Sequence, residues 1–142
     1  MVQPLFSATD VKMLECKLVY QGYFQMQRIK LQHRLFAGGW SQPLFREVFV
    51  RGEAVGVLLF DPKQDQLVLI EQLRAGIVNQ SSQPWLVEIV AGMTEPGEDK
   101  QTVAQRETRE ETGLLLQNIY PITQYWLSPG GSNEWMIAWF TQ

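Results

Sequence analysis

The sequence predicts an α+β fold in which β-strands predominate and a single acidic helix lies in the second half of the chain. Short apolar runs separated by turn residues recur along the sequence, a pattern typical of antiparallel sheets. The stretch 99–112 has no glycine or proline and is rich in Glu, Gln, Arg and Lys, which favours a helix. The length of 142 residues suits one domain, over 1–142, with a core of its own.

In the first half of the chain, residues 1–14 show no clear pattern, and we expect them to be loosely held. The chain from 18 to 35 is predicted as strand, with a phase change near Arg28 that indicates a bulge. A turn cluster at 37–43 precedes two strands, "LFREVFVRG" and "AVGVLLF". The turn "DPKQDQ" at 61–66 makes a hairpin with the strand "LVLIEQL".

In the second half, residues 74–84 are predicted as a loop, and "WLVEIVAG" is predicted as a strand that ends in glycine. Gly113 follows the helix, at the position where a helix stop is expected. We expect "LLLQNIYPITQYWL" to be strand, "SPGGSN" to be loop and "EWMIAWF" to be the final strand.

Composition excludes several classes of protein. The net charge is -3 and no run of Lys or Arg occurs, so we expect no nucleic-acid partner. No stretch approaches 18 apolar residues and the N-terminus lacks a signal-peptide pattern, so we expect no membrane association. The one cysteine, Cys16, fits a reducing compartment, and we predict a cytoplasmic location.

The predicted helix carries carboxylates on the side that should pack inward. At 100° per residue, Glu107, Glu110 and Glu111 fall within an arc of about 100°. The two apolar residues of the helix, Val103 and Ala104, share that side, which leaves little apolar surface for packing.

A solvated helix with i,i+4 pairs, such as Arg106 with Glu110, is the simpler interpretation, and the charge pattern alone leaves it open. It does not explain the adjacent like charges at Glu110 and Glu111. A hard divalent cation explains them, because clustered carboxylates repel until a cation lies among them, and Mg²⁺ prefers oxygen ligands.

The spacing of these residues resembles the Nudix box, G-x5-E-x7-R-E-U-x-E-E-x-G-U, where U is a bulky aliphatic residue. Eight of its nine fixed or restricted positions match. The matching residues are Gly92, Glu98, Arg106, Glu107, Glu110, Glu111, Gly113 and Leu114. The departure is Thr108, where the family prefers an apolar residue; the resemblance implies looser helix packing there.

Outside the box, "LFREVFVRG", "VLIEQLR", "PWLVEIVAGM" and "SPGGSNE" resemble segments of bacterial ADP-ribose pyrophosphatases in the Nudix hydrolase superfamily. Pro129, about sixteen residues past the box, is a mark of that branch. The similarity covers roughly 18–140. It implies a Nudix fold, with mixed sheets around a catalytic loop-helix-loop, and hydrolysis of ADP-ribose to AMP and ribose 5-phosphate.

The resemblance also implies roles in metal binding and catalysis. Mg²⁺, with Mn²⁺ as an alternative, would be bound by Glu107, Glu111 and the backbone carbonyl of Ala91. Glu98 would brace the loop or help to bind the metal, Arg106 would hold the glutamates, and Glu110 would be an outer ligand or a base. The metal would neutralise the diphosphate and lower the pKa of an attacking water.

The implied substrate contacts lie in several segments. In the resembling enzymes the other subunit of a swapped homodimer supplies part of the site, which predicts a homodimer formed through strands at about 15–51. The residues at matching positions are Tyr23, Phe24, Arg46, Glu47, Arg51, Arg74, Met93, Ser128, Gly130, Gly131 and Glu134.

Structural alternatives stay open for several of these residues. Tyr23 or Phe24 would stack on adenine or belong to a strand core, Arg74 would contact phosphate or be a surface cation, and 129–131 would also suit an ordinary turn. We interpret His33 as structural, and the five tryptophans as residues of the core and the dimer interface.

The resembling enzymes continue past the strand that matches "EWMIAWF", into a loop that supplies a further metal ligand and a proposed base. We therefore expect a shortened gene product or a short variant that hydrolyses ADP-ribose weakly. Two other functions stay open: hydrolysis of another nucleoside diphosphate-sugar, such as a GDP-sugar, and nucleotide binding without turnover.

Overall fold

The computed structural model describes residues 3–142, which divide into two compact units. One, which we call the N-terminal unit, runs to Arg51 and includes Ser128–Asn133. The other, which we call the helix unit, consists of Gly52–Leu127 and Glu134–Gln142. Among residues 3–142, no helix is long and apolar enough to cross a membrane.

The N-terminal unit is built on a three-stranded antiparallel sheet in the order β1-β2-β3. Its strands are β1 (Val11–Gln21), β2 (Gln25–His33) and β3 (Leu44–Val50). A 3-10 turn at Ala8–Asp10 precedes β1, and the Asp10 carboxylate accepts a hydrogen bond from the Ser7 backbone N–H at 2.9 Å. A bridge between Phe49 and Ser132 joins the segment Ser128–Asn133 to β3.

Three predictions for the start of the chain were wrong. Residues 11–14 belong to β1, not to a loosely held start; residues 1–2 lie outside the described residues. The stretch 18–35 is not one strand, because the chain turns at Gly22 and returns as β2. The β2–β3 register runs evenly past Arg28, and the irregularities fall instead within β1, between Met13 and Glu15 and between Leu18 and Tyr20.

The helix unit contains a five-stranded mixed sheet in the order β5-β4-β10-β9, with β8 also paired to β4. In this sheet β10 runs parallel to β4 and antiparallel to β9. The five strands are β4 (Glu53–Asp61), β5 (Gln66–Val68), β8 (Val90–Met93), β9 (Tyr120–Trp126) and β10 (Trp135–Thr141). A separate two-stranded sheet pairs β6 (Ile70–Leu73) with β7 (Trp85–Glu88).

Two predicted strands are each divided between these sheets. "LVLIEQL" breaks at Leu69, because β5 pairs with β4 whereas β6 pairs with β7. "WLVEIVAG" breaks at Ile89, because β7 pairs with β6 whereas β8 pairs with β4. Residues 114–119 are not strand, although the apolar run predicted one; β9 begins at Tyr120.

The single α-helix of the described residues, α1 (Lys100–Thr112), packs on the core of the helix unit. The Asp99 carboxylate caps its start by accepting from the Thr102 N–H at 2.9 Å, and Gly113 ends it in the left-handed region at φ 74°. Val103 and Ala104 are fully buried in one cluster with Val55, Val57, Leu59 and Val90. The predicted helix, its stop and the α+β class are confirmed.

The tryptophans do not form the centre of that core. Trp139 packs against the core cluster, but Trp85 and Trp126 are about half exposed within the single chain. The predicted core role is therefore wrong for Trp85 and Trp126, and the role in an interface stays a prediction. The His33 ring nitrogen Nδ1 lies 2.8 Å from the Arg34 carbonyl oxygen, a local contact that fits the structural role expected for it.

Candidate active site

Gly92 lets the Glu107 carboxylate lie directly against the backbone of β8. A Cβ built on Gly92 would lie 2.0 Å from Cδ and 2.2 Å from Oε1 of Glu107, so any larger residue would displace that carboxylate. The Glu107 side chain is only 14% exposed. The first glycine of the box therefore makes room for a carboxylate that is held largely out of water.

Arg106 contacts three carboxylates. Its Nη1 lies 2.7 Å from Glu107 Oε1 and 3.4 Å from Glu110 Oε2, and its Nη2 lies 4.0 Å from Glu98 Oε2. The i,i+4 pair of Arg106 with Glu110, expected in a solvated helix, is thus present together with a partly buried carboxylate.

The charged form of Glu107 is disfavoured by its surroundings. Burial raises the pKa of Glu107 above its ordinary value, Arg106 opposes that shift, and the nearby charges of Glu110 and Glu111 raise the pKa further. A raised pKa means that the Glu107 carboxylate binds a proton more readily than an isolated carboxylate does.

Glu111, in the last turn of α1, is held by donors from two strands. Gln72 of β6 donates from Nε2 to Glu111 Oε1 at 2.6 Å, and the Ala91 backbone N–H of β8 donates to Glu111 Oε2 at 3.4 Å. The structure thus brings Glu107 and Glu111 to the same strand, next to Ala91 and Gly92.

The loop before α1 is fixed by its own acidic residues. Glu98 Oε2 accepts from the Glu95 backbone N–H at 2.7 Å, a hydrogen bond within the loop. Lys100, the first residue of α1, forms an ion pair with Glu53 of β4. These contacts fix the loop and the start of the helix against the sheet.

Arg74 lies just after β6 and is paired with Glu88 of β7. Arg74 Nε donates to Glu88 Oε2 at 2.7 Å. That hydrogen bond is the main cause of the raised pKa of Arg74, and the charge of Glu111 contributes as well. Met93, also predicted to contact substrate, ends β8 two residues after Ala91.

In the N-terminal unit, the two candidate aromatic residues differ in exposure: Tyr23 is exposed and Phe24 is half-buried. The Tyr23 side chain lies at the β1–β2 turn and is 93% exposed, so it does not belong to a strand core. Phe24 packs edge-on against Phe49 with 5.0 Å between ring centroids, and the Arg51 guanidinium lies 4.7 Å from the Phe24 ring centroid.

Arg46 and Glu47 follow each other on β3 and are both exposed. Arg46 Nη1 donates to the Phe45 carbonyl oxygen at 2.8 Å, and Glu47 pairs with Arg28 at 3.0 Å. Neither residue is in the core, and the Glu47 carboxylate is held by its ion pair with Arg28.

The segment 128–134 begins with a turn. The Ser128 carbonyl oxygen accepts from the N–H groups of Gly131 and Ser132 at 3.2 and 2.9 Å, and Gly130 lies inside that turn. Glu134 belongs to the helix unit and is 9% exposed. Of the predicted acidic residues, Glu134 is the most enclosed.

These residues suit a divalent cation by their chemistry. Glu107 and Glu111 supply hard oxygen atoms beside the backbone of β8, and Gly92 leaves the space that the Glu107 carboxylate requires. Within residues 3–142, no three His, Cys, Asp or Glu side chains are arranged to hold a metal. A cation at this place would therefore rely on two carboxylates supplemented by other oxygen atoms.

Two contacts of the site were missed from the sequence. Gln72 lies 39 residues from Glu111, and Glu88 lies 14 residues from Arg74. The available signal was a pair of polar residues, Glu71 and Gln72, between apolar residues of the strand and just before Arg74. Nothing in the box itself points to either residue.

Comparison with known proteins shows the family. The NUDIX domain family matches residues 50–142, and the chain therefore belongs to the Nudix family. The chain is 43% identical over 129 residues to an ADP-ribose pyrophosphatase of Escherichia coli K12, covering 91% of this chain and 62% of that protein. It is 41% identical over 132 residues to an ADP-ribose pyrophosphatase of Haemophilus influenzae, covering 91% and 61%.

Two more distant similarities agree with membership of the Nudix family. A GDP-mannose pyrophosphatase of Yersinia pestis is 29% identical over 128 residues, covering 89% of this chain and 64% of that protein. A crystal structure of an ADP compounds hydrolase has a TM-score of 0.73 at 20% identity, covering 96% of this chain and 69% of that one, which shows the shared fold. The chain spans less than two thirds of the length of these pyrophosphatases.

Proposed function

We propose that this chain is a divalent-cation-dependent pyrophosphohydrolase that cleaves ADP-ribose into AMP and ribose 5-phosphate. The observation that carries the proposal is the placement of Glu107 and Glu111 against the backbone of β8, next to Gly92. The similarity to ADP-ribose pyrophosphatases over 91% of the chain supports the choice of substrate.

Glu107, Glu111 and the backbone carbonyl of Ala91 are the proposed ligands of Mg²⁺, with Mn²⁺ as the alternative. When bound, the cation would neutralise the diphosphate and lower the pKa of a water molecule. Burial, and to a smaller extent the charges of Glu110 and Glu111, raise the pKa of Glu107, and a bound cation would favour its charged form. Arg106 orients Glu107 and Glu110, and Glu98 braces the preceding loop.

Glu110 is the proposed proton acceptor for the attacking water. Its side chain is 58% exposed, so water reaches it, and Arg106 Nη1 lies 3.4 Å from its Oε2. Glu134, the other acidic candidate, is 9% exposed and suits the role less well. Arg74, placed beside the charge of Glu111, is proposed to bind a substrate phosphate in exchange for its contact with Glu88.

The remaining predicted contacts are proposed to bind the rest of the substrate. Tyr23 is exposed and could stack on adenine, and Arg46, Glu47 and Arg51 supply polar and charged groups. Met93 and the segment 128–134 complete the proposed set. We propose a cytoplasmic location, which the exposed free thiol of Cys16 supports.

We also propose that the chain forms a homodimer through strands at about 15–51. All eleven residues of β1 are exposed in the single chain, including Leu18, Val19 and Tyr20, and a second copy would cover them. Light scattering at micromolar concentration tests this proposal, and a monomer would contradict it. In the dimer, Arg46→Ala should raise KM more than it lowers kcat; an effect on kcat alone would exclude a binding role.

A substrate panel tests the proposed activity. The protein is incubated with Mg²⁺ and ADP-ribose, GDP-mannose or ADP-glucose, and products are separated by ion-exchange chromatography. We expect AMP and ribose 5-phosphate from ADP-ribose in the parent, and only traces from Glu111→Gln. Faster cleavage of GDP-mannose would favour a GDP-sugar hydrolase, which the 29% identity to the Yersinia enzyme makes the second candidate. Binding without any product would indicate a nucleotide-binding module.

A further inference from the structure

The Gln72 side chain links β6 to the last turn of α1. Its Nε2 donates to Glu111 Oε1 at 2.6 Å, a short hydrogen bond between partly buried side chains 39 residues apart. Because Gln72 lies on a strand of the two-stranded sheet, its backbone is held by pairing with Leu86 of β7. The donor is thus supplied by a fixed element, not by a loop.

The donors to the helix carboxylates differ in charge. Glu107 and Glu110 contact the guanidinium of Arg106, whereas the side chain that donates to Glu111 is a neutral amide. Arg74, two residues beyond Gln72, donates to Glu88. A neutral donor orients a carboxylate without cancelling the negative charge that attracts a cation.

The two oxygen atoms of Glu111 are held from different directions. Gln72 holds Oε1 at 2.6 Å, and the Ala91 N–H approaches Oε2 at 3.4 Å. The shorter contact is the stronger one, so Gln72 fixes the rotation of the carboxylate more than Ala91 does. Without Gln72, the side chain would regain rotamers that cation binding must then remove, at an entropic cost.

We propose that Gln72 is a positioning residue that orients the Glu111 carboxylate for a divalent cation. The inference rests on the cation site of the proposed function, and it assigns Gln72 no contact with the substrate. It adds a residue outside the Nudix box to the machinery of the site.

The test uses Gln72→Met, which keeps the length of the side chain and removes the donor. Mn²⁺ binding to the substrate-free protein is measured by electron paramagnetic resonance. We expect the dissociation constant to rise roughly 10–100-fold, as for other groups that orient metal ligands. Gln101→Met makes the same change at an exposed position of α1 and should leave binding unchanged.

A double-mutant cycle separates positioning from a general structural role. If Gln72 acts through Glu111, Gln72→Met should add little loss of Mn²⁺ affinity in a Glu111→Gln background. Equal losses in both backgrounds would overturn the proposal. In steady-state assays, the variant should need more Mn²⁺ for half-maximal activity, while KM for ADP-ribose at saturating Mn²⁺ stays that of the parent.

The remaining outcomes distinguish the role of Gln72 from the existence of the cation site itself. Parent-like Mn²⁺ binding by Gln72→Met would overturn the inference and leave the cation site intact. Absence of Mn²⁺ binding in the parent would overturn both. If Gln72→Met does not fold, Gln72→Asn replaces it, because Asn keeps the amide and withdraws it by one methylene; parent-like affinity in that variant would equally contradict the proposal.

Discussion

The N-terminal sheet and the helix unit differ in the burial of their apolar residues. The buried hydrophobic residues of the described chain all belong to the helix unit; they are Ala54, Val55, Val57, Leu59, Val90, Val103, Ala104 and Ile137. In the N-terminal unit, every residue of β1 is exposed. The helix unit therefore has a core of its own, whereas the sheet β1-β2-β3 presents apolar side chains without one.

Because of this difference, we expect substitutions in the core of the helix unit to lower stability, and substitutions in the N-terminal sheet to change binding or assembly. In the helix unit the same short helix supplies core side chains, Val103 and Ala104, and the carboxylates of the candidate site. Errors in its packing should therefore change the geometry of the site. In the N-terminal unit, packing errors should have little effect on a single chain, and their consequences should appear in binding or assembly.

Gly92→Ala should have the largest effect on function. The added Cβ would lie 2.0 Å from Glu107 Cδ, and the flexible side chain would move away, so we expect the protein to fold but to lose activity by at least about 10–100-fold. Circular dichroism and turnover of ADP-ribose measure the two effects. Gly76→Ala is the control, because no heavy atom lies within 4 Å of its Cβ position. Parent-like turnover in Gly92→Ala would show that the placement of Glu107 is unimportant.

Val103→Ala and Val19→Ala compare the two units directly. Val103 is fully buried, so its truncation should lower the free energy of unfolding by about 1–3 kcal/mol. Val19 on β1 is 45% exposed, and its truncation should cost about 0.5 kcal/mol or less. Urea denaturation of both variants, at a protein concentration at which light scattering shows a monomer, provides the measurement. A cost at Val19 as large as at Val103 in the monomer would refute the contrast between the two units.

Thr108→Val should raise stability. Thr108 is fully buried, and within the described residues its hydroxyl has no hydrogen-bond partner. Valine has nearly the same shape and no polar atom, so we expect a gain of about 1 kcal/mol in the free energy of unfolding. Chemical denaturation of parent and variant checks the sign. A loss of stability would mean that the hydroxyl has a partner in solution.

Asp99→Asn should have the smallest effect, and that effect depends on pH. The hydrogen bond from the Thr102 N–H lowers the pKa of Asp99 below its ordinary 3.8, so its charged form contributes stability above that pH. The contribution is lost as the pH falls through the lowered value, whereas Asn caps the helix without titrating. The melting temperature of the parent relative to Asp99→Asn should therefore be constant above about pH 5 and fall as the pH drops through and below 3.8. A constant difference would exclude the charge of Asp99 as a source of helix stability.

Local patterns predicted the elements that depend on local chemistry. The helix, its Gly113 stop and the hairpin turn at 61–66 follow from composition and turn residues, and all three are present. The carboxylate pair on one helix face follows from the period of the helix. These features depend only on residues that are close together in the sequence.

Features that depend on distant partners were not predictable in the same way. An apolar run does not show where one sheet ends and another begins, so the breaks at Leu69 and Ile89 were missed. The hydrogen bond from Gln72 to Glu111 depends on how β6 and α1 pack, which no local pattern encodes. Thr108 showed that an inward position need not be apolar to be buried.

Cation binding by the substrate-free protein tests the central claim most directly. The affinity for Mn²⁺ is measured for the parent, for Glu111→Gln and for Glu95→Gln, which removes the same charge from an exposed loop position. The account predicts binding by the parent and by Glu95→Gln, and a loss in Glu111→Gln at least as large as the roughly 10–100-fold expected when a group that orients a metal ligand is removed. Equal affinities in all three proteins, or no binding by the parent, would contradict the assignment of the helix carboxylates as cation ligands.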